Sequence, residues 1–270
     1  MFLVLNASGL TLIPLSIMAQ RAVLGARDPS DVFIPCLIAT FVATLVGLML
    51  VAIKQRINLL HPVVMGWLGG LTGAIALMVW YMTNYLTKDE ISNVSKLVAN
   101  LVLFSIIIVF IVGGLRKKIN VFDAFIEGAK GGIKTSITII PYLVGMLVAI
   151  SVLRNSGVLE FIVKGFTWFF AALGMNTDFT PALPTALMKP VSGSGARAMM
   201  IDAMKTYGVD SFVGRLACVF QGTTDTTFYI VALYFGAVGV TKVRYSIAYG
   251  LLAELAGVTA AVWIAYLFFH

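Results

Sequence analysis

The stretch Phe212–Val240, FVGRLACVFQGTTDTTFYIVALYFGAVGV, decides the fold. Its length and apolar content suit one membrane-crossing helix, which needs about 20 apolar residues. At its centre, however, Gln221–Tyr229 reads QGTTDTTFY. A run that polar is costly at membrane depth, and irregular backbone survives there only where protein or a water-filled cavity covers it. Two short helices with an unwound middle are therefore expected. Thr223, Thr224, Asp225, Thr226 and Thr227 line up five oxygen-bearing side chains beside Gln221 and Gly222. Such oxygens suit hard cations, protons or polar organic solutes.

The surrounding composition supports a bilayer setting. The chain is 60% hydrophobic and 11% charged, with a mean hydropathy of +0.97, which excludes an ordinary water-soluble domain. Uncharged runs at Val32–Ile53, Val63–Thr87, Leu97–Leu115 and Thr135–Leu153 each read as one span, and Tyr245–Phe269 reads as a fifth, interrupted by Glu254. Met1–Gln20, Val158–Gly174 and Ser211–Val240 are less regular. The expected class is all-α: a polytopic integral membrane protein with broken helices and a re-entrant hairpin. The net charge of +7 follows from basic loops between spans and gives no reason to expect nucleic acid. Lys54 and Arg56 fall on one side with Arg116, Lys117, Lys118, Lys130 and Lys134, and the positive-inside rule makes that side cytoplasmic. Arg154, Lys242 and Arg244 fall outside on the simplest path. Ile119, Phe122, Ile126 and Ala129 recur at helical spacing opposite Asp123, Glu127 and Lys130, the pattern of a helix lying in the headgroup plane.

A second polar interruption lies just upstream. Asn176–Met200 reads NTDFTPALPTALMKPVSGSGARAMM, with three prolines and a Ser-Gly-Ser-Gly run between apolar pieces too short to span. A re-entrant hairpin frees backbone groups there to face a ligand, and an ordinary extramembrane loop is the competing reading. Ser192, Gly193, Ser194 and Arg197 are its candidate solute-binding residues. Lys189 precedes the glycines, so the phosphate-loop pattern is absent.

Intramembrane acids default to functional hypotheses, because a carboxylate at the bilayer centre costs about 2.5–3.5 kcal/mol on insertion scales. Asp225 and Glu254 are thus the candidate ion-coupling pair. The plainer readings are an N-cap for the helix from Thr226 and an internal hydrogen bond of Glu254 to a Thr, Tyr or Arg, with Arg215 and Arg197 as possible counter-charges. Near the N-terminus, Asn6, Ser8 and Thr11 precede Pro14 in NASGLTLIP. A constant offset of 214 residues pairs Gly25 with Gly239, Leu37 with Leu251, Ala39 with Ala253 and Thr40 with Glu254. The resulting expectation is a partial, parallel internal repeat that sets Asn6, Ser8 and Thr11 opposite Thr223–Asp225 as the second wall of one site.

No enzyme chemistry is expected. The two histidines, His61 and His270, occur in no HExxH, and no GxSxG elbow exists. No cofactor or metal site is expected either, and Cys36 and Cys218 read as inert core thiols.

From Lys189 to Ser246, KPVSGSGARAMMIDAMKTYGVDSFVGRLACVFQGTTDTTFYIVALYFGAVGVTKVRYS resembles the spore maturation protein B family, within the nucleoside-recognition or gate-domain superfamily. The resemblance extends upstream through VFDAFIEGAKGGIKTSITIIPYLVGMLVAISVLRNSG, and MFLVLNASGLTLIPLSIMAQR resembles the C-terminal part of spore maturation protein A. Residues 1–60 thus look like the end of an A-like half and 61–270 like a B-like gate domain, an A–B fusion with the A half truncated. Gate domains occur in nucleoside transporters and in the membrane part of ferrous iron transport protein B. The resemblance therefore implies a transporter or gate-type permease for a small polar solute in the bacterial inner membrane, working as a homo-oligomer or with a separate A-like subunit. A non-transporting assembly protein of the cell envelope is the alternative.

Overall fold

The computed structural model describes residues 2–9, 11, 14–57, 62–86, 88–237 and 243–270. Gly239, Lys242 and His61 lie outside the described residues. Described residues form only helices and their connections. In order these are α1 (Phe2–Ala7), α2 (Leu15–Val23), α3 (Phe33–Gln55), α4 (Pro62–Tyr85), α5 (Lys88–Arg116), α6 (Val121–Asn155), α7 (Val158–Ala172), α8 (Leu183–Met188, after one 3₁₀ turn), α9 (Gly193–Tyr207), α10 (Phe212–Thr223), α11 (Thr227–Ala237) and α12 (Ser246–Phe269). Phe33–Gln55, Lys96–Arg116 and Ser246–Phe269 are long and apolar enough to cross a membrane. The protein is a polytopic helical membrane protein.

Shifted by the sequence offset, α2 and α3 fall on α11 and α12 within about two residues, so the repeat extends to helix boundaries. Its two copies are inverted, not parallel. The equivalent helices α3 and α12 pack along their length. Near their middles, a Cβ built on Gly257 would lie 2.9 Å from the Ala43 Cβ, and one on Gly47 would lie 3.3 Å from the Ala253 Cβ. At one end Gln55 Nε2 donates to the Tyr245 hydroxyl at 2.7 Å. Numbers rise along α3 as they fall along α12, so the helices run antiparallel. Ala43 and Gly257 are also equivalent by the offset and touch each other, as a two-fold axis passing between them requires. Sequence identity cannot sense direction, because the offset is the same for both orientations.

The antiparallel seam also reorders the charges. Arg244 sits next to Tyr245 at the Gln55 end, and so joins Lys54 and Arg56 on the basic side rather than facing outward. Arg154 stays at the opposite end, where Asp202 of α9 neutralises it through Arg154 Nε at 2.9 Å. That end holds a buried ion cluster. Arg21, fully buried, meets Asp31 at 2.9 Å and Asp210 at 3.1 Å, and Arg215 meets Asp31 at 2.7 Å. Burial pushes the Asp31 carboxyl above its usual range, against the pull of the two guanidiniums. The cluster ties α2, α10 and the chain entering α3 into one body.

The amphipathic segment is not a separate interfacial helix. Asn120 caps α6 by accepting the Asp123 amide, and the helix runs unbroken for 35 residues to Asn155, through Pro141. At 1.5 Å per residue that is roughly 52 Å, well beyond the ~30 Å hydrocarbon layer. Lys130 and Lys134 therefore lie within a helix and not in a loop. Cys36 and Cys218 are free, buried thiols, and the Cys36 thiol faces the Cys218 carbonyl at 3.9 Å across the α3–α10 contact.

Candidate functional site where three breaks meet

Helix α10 stops where its own side chains compete for backbone. The Thr223 hydroxyl donates back to the Val219 carbonyl at 2.6 Å, and Thr224 is fully extended (φ −142°, ψ 177°). Such a break orphans backbone groups, which must be satisfied in a water-poor interior. Three of them find a partner in another broken element, and the Thr226 amide finds one within the break. The Asp225 amide donates to the Ala7 carbonyl at the end of α1 at 2.8 Å, and the Phe228 amide donates to the Pro190 carbonyl at 3.1 Å. The Thr226 amide takes Asp225 Oδ1 at 2.7 Å, and Lys189 Nζ donates to the Gln221 carbonyl at 2.8 Å.

Asn176–Met200 folds as the helical hairpin expected, with α8 and α9 joined at Lys189–Ser192. Its tip lies against the α10–α11 break. A Cβ on Gly193 would come 2.7 Å from Thr226 Oγ1, so only glycine allows that approach. Ser192 caps α9 by accepting the Gly195 amide at 3.1 Å and lies 3.3 Å from the Ser194 hydroxyl.

Around this junction lies a cavity of about 610 Å³. Of the twelve candidate solute-binding residues, Asn6, Thr11, Arg197, Gln221, Thr224 and Asp225 line it, together with Lys189, Gly222 and Pro14–Ile17. Residues from the α1–α2 break, the hairpin and the α10–α11 break thus share one space. The Asp225 side chain is exposed to it.

The other six candidates are structural. Thr223 and Ser8 spend their hydroxyls on Val219 and Leu5 carbonyls. Ser192 and Ser194 pair at the start of α9, and Gly193 and Thr226 form its close approach to the break. Glu254 also stands apart from the cavity. Buried in α12, its two carboxylate oxygens accept the Thr224 and Thr227 hydroxyls at 3.2 and 3.0 Å. Neither Arg215 nor Arg197 is its partner: Arg215 pairs with Asp31, and Arg197 faces the cavity. Behind Glu254 opens a second, apolar cavity of about 430 Å³, bounded by Phe166, Phe170, Pro190, Leu251 and Trp263 among others. The Thr224–Glu254–Thr227 wall separates the two spaces.

Lys189 is the residue that sequence reasoning missed. It is 6% exposed yet lines the polar cavity. A lysine closing an apolar run just before Pro190 was the available signal. Among the described residues no cluster of three or more His, Cys, Asp and Glu comes together.

Broken helices enclosing a polar cavity define a membrane protein of the interrupted-helix kind. In agreement, the Gate family, described as nucleoside recognition, matches residues 136–241. That span holds the hairpin and the α10–α11 break. Spore maturation protein B of Bacillus subtilis (strain 168) is 48% identical over 156 residues, covering 58% of this chain and 86% of that protein. The chain belongs to the spore maturation protein B family. No solved structure matches it.

Proposed function

We propose that the protein is a gate-type permease of the bacterial inner membrane that moves a small polar solute through the cavity shared by the three breaks. The observation that carries this reading is the convergence itself: irregular backbone from three separate elements meets at one polar space instead of being sealed into dry packing. The cavity volume suits a solute of nucleoside size or smaller. Asp225 contacts the solute directly, and Glu254, one threonine behind, is the second acid through which a proton or cation couples to movement. Residues 1–60 act as the A-like half of the two-fold site, and a second copy or an A-like subunit completes the assembly. No nucleic acid, cofactor or catalytic step is involved.

The test is solute uptake by the full chain in proteoliposomes, with radiolabelled nucleosides and other small polar solutes and Asp225→Asn as the control. Movement of at least one solute, slowed about tenfold in the variant, is the expected result. Five of the candidate polar residues serve the fold rather than the cavity, and this favours the second reading, an assembly module in which polar groups knit helices together. On that reading Asp225→Asn lowers unfolding temperature and leaves no solute flux to lose.

A further inference from the structure

Three features make the cavity electropositive. Lys189 is nine-tenths buried, and its ammonium, with three donors, makes a single hydrogen bond, to the Gln221 carbonyl. Among the described residues no carboxylate lies within ion-pair distance of it. Arg197, half-buried, lines the same cavity and makes no hydrogen bond or ion pair among the described residues. The first turn of α2 forms a further part of the lining: the Ile17 amide is taken by the Pro14 carbonyl, but the Leu15 and Ser16 amides have no intrahelical partner and carry the positive end of the helix dipole. Against these stand Asp225 in the lining, Glu254 one threonine behind it, and the Gln221 side-chain oxygen, which is buried without a hydrogen-bond partner. A buried, unpaired cation is costly, and an orphaned buried acceptor adds to that cost. A single ligand relieves both if it brings anionic oxygens to Lys189 and Arg197 and a donor to Gln221 Oε1 and Asp225.

We propose that the solute of this site is a small organic anion, bearing a carboxylate or phosphate together with a hydrogen-bond donor, held with its anionic group between Lys189 and Arg197. The proposal rests on the permease reading above and narrows it from polar solutes in general to charged ones.

Matched pairs differing in the anionic group test it: glycerol against glycerol 3-phosphate, and glycolamide against glycolate, each followed into proteoliposomes carrying the full chain. The charged member of one pair should enter about tenfold faster or more, and that pair identifies phosphate or carboxylate. Arg197→Gln should shrink the preference to about threefold or less. This variant decides the matter if Lys189→Met fails to fold, because Arg197 makes no bond that the fold needs. Equal or faster entry of the neutral members, slowed by Asp225→Asn, overturns the anion proposal and leaves the permease standing. No entry of any member or of the radiolabelled nucleosides, with no rise in unfolding temperature in millimolar inorganic phosphate or acetate, overturns both.

Discussion

The two breaks related by the repeat share a backbone plan and differ in chemistry. After the offset, Ala7 corresponds to Gln221, Thr11 to Asp225 and Thr40 to Glu254. The Ala7 carbonyl is taken by a backbone amide, that of Asp225. Its counterpart, the Gln221 carbonyl, is taken by the buried ammonium of Lys189. From the long helix of the first copy, Thr44 donates to the Ser8 carbonyl at 3.1 Å, and Thr40 merely bonds back to Leu37. From that of the second copy, Glu254 receives two threonine hydroxyls. The symmetry supplies geometry, a pair of interrupted helices crossing near one axis. Charge is added on one side only, so the permease reading assigns solute recognition and any coupled ion to the second copy.

Substitutions made in pairs across the axis can sharpen or break that contrast. The largest effect is expected for Glu254→Leu, which leaves the buried Thr224 and Thr227 hydroxyls without their acceptor and should cost about 3 kcal/mol. Thr40→Val should cost about 1 kcal/mol or less, since its hydroxyl serves only its own helix. Equal losses in unfolding temperature in detergent would show the two copies to be equivalent after all.

Next comes the seam. In Gly257→Ala the new methyl would meet Thr223 Cγ2 at 2.5 Å and the Ala43 Cβ at 2.9 Å. Overpacking of that kind costs about 1–3 kcal/mol, and the same unfolding measurement checks it. Thr223 ends α10, so a shift at the seam should reach the break and slow solute entry as well.

For the cavity, Asp225→Asn should cut solute entry about tenfold, equivalent to about 1.4 kcal/mol, and Thr11→Val should change it by about threefold or less. Similar losses at both positions would put recognition on the axis instead of on the second copy. The smallest effect belongs to Ser192→Ala, which removes the cap of α9. About 1 kcal/mol of stability should go, with entry rates unchanged, because the Ser192 hydroxyl faces its own helix and not the solute.

Much of this was legible in the residues. Uncharged runs mark α3, α4 and α5 because hydrocarbon tolerates little else, and Gly, Pro and consecutive threonines mark the breaks because each defeats helical hydrogen bonding locally. Half of the candidate solute residues line the cavity for the same reason. Thr223, Thr226, Ser8, Ser192 and Ser194 do not, because a hydroxyl reads the same in sequence whether it bonds a carbonyl one turn back, caps a helix or meets a ligand. Lys189 was set aside because its place before the glycines fits no phosphate loop, and its burial against the Gln221 carbonyl depends on the tertiary fold.

By itself the sequence determined an all-helical membrane fold with interrupted helices and the positions of the interruptions, since these depend on composition and local backbone preference, and it offered only a weak 214-residue offset between the region of α1–α3 and that of α10–α12. Only the tertiary structure decided that the copies are inverted, that three breaks close on one cavity, and that Glu254 is held by threonines while Lys189 and Arg197 line that cavity. Those outcomes depend on which groups are brought within a few ångströms of each other, and direction and contact leave no trace in spacing along a chain.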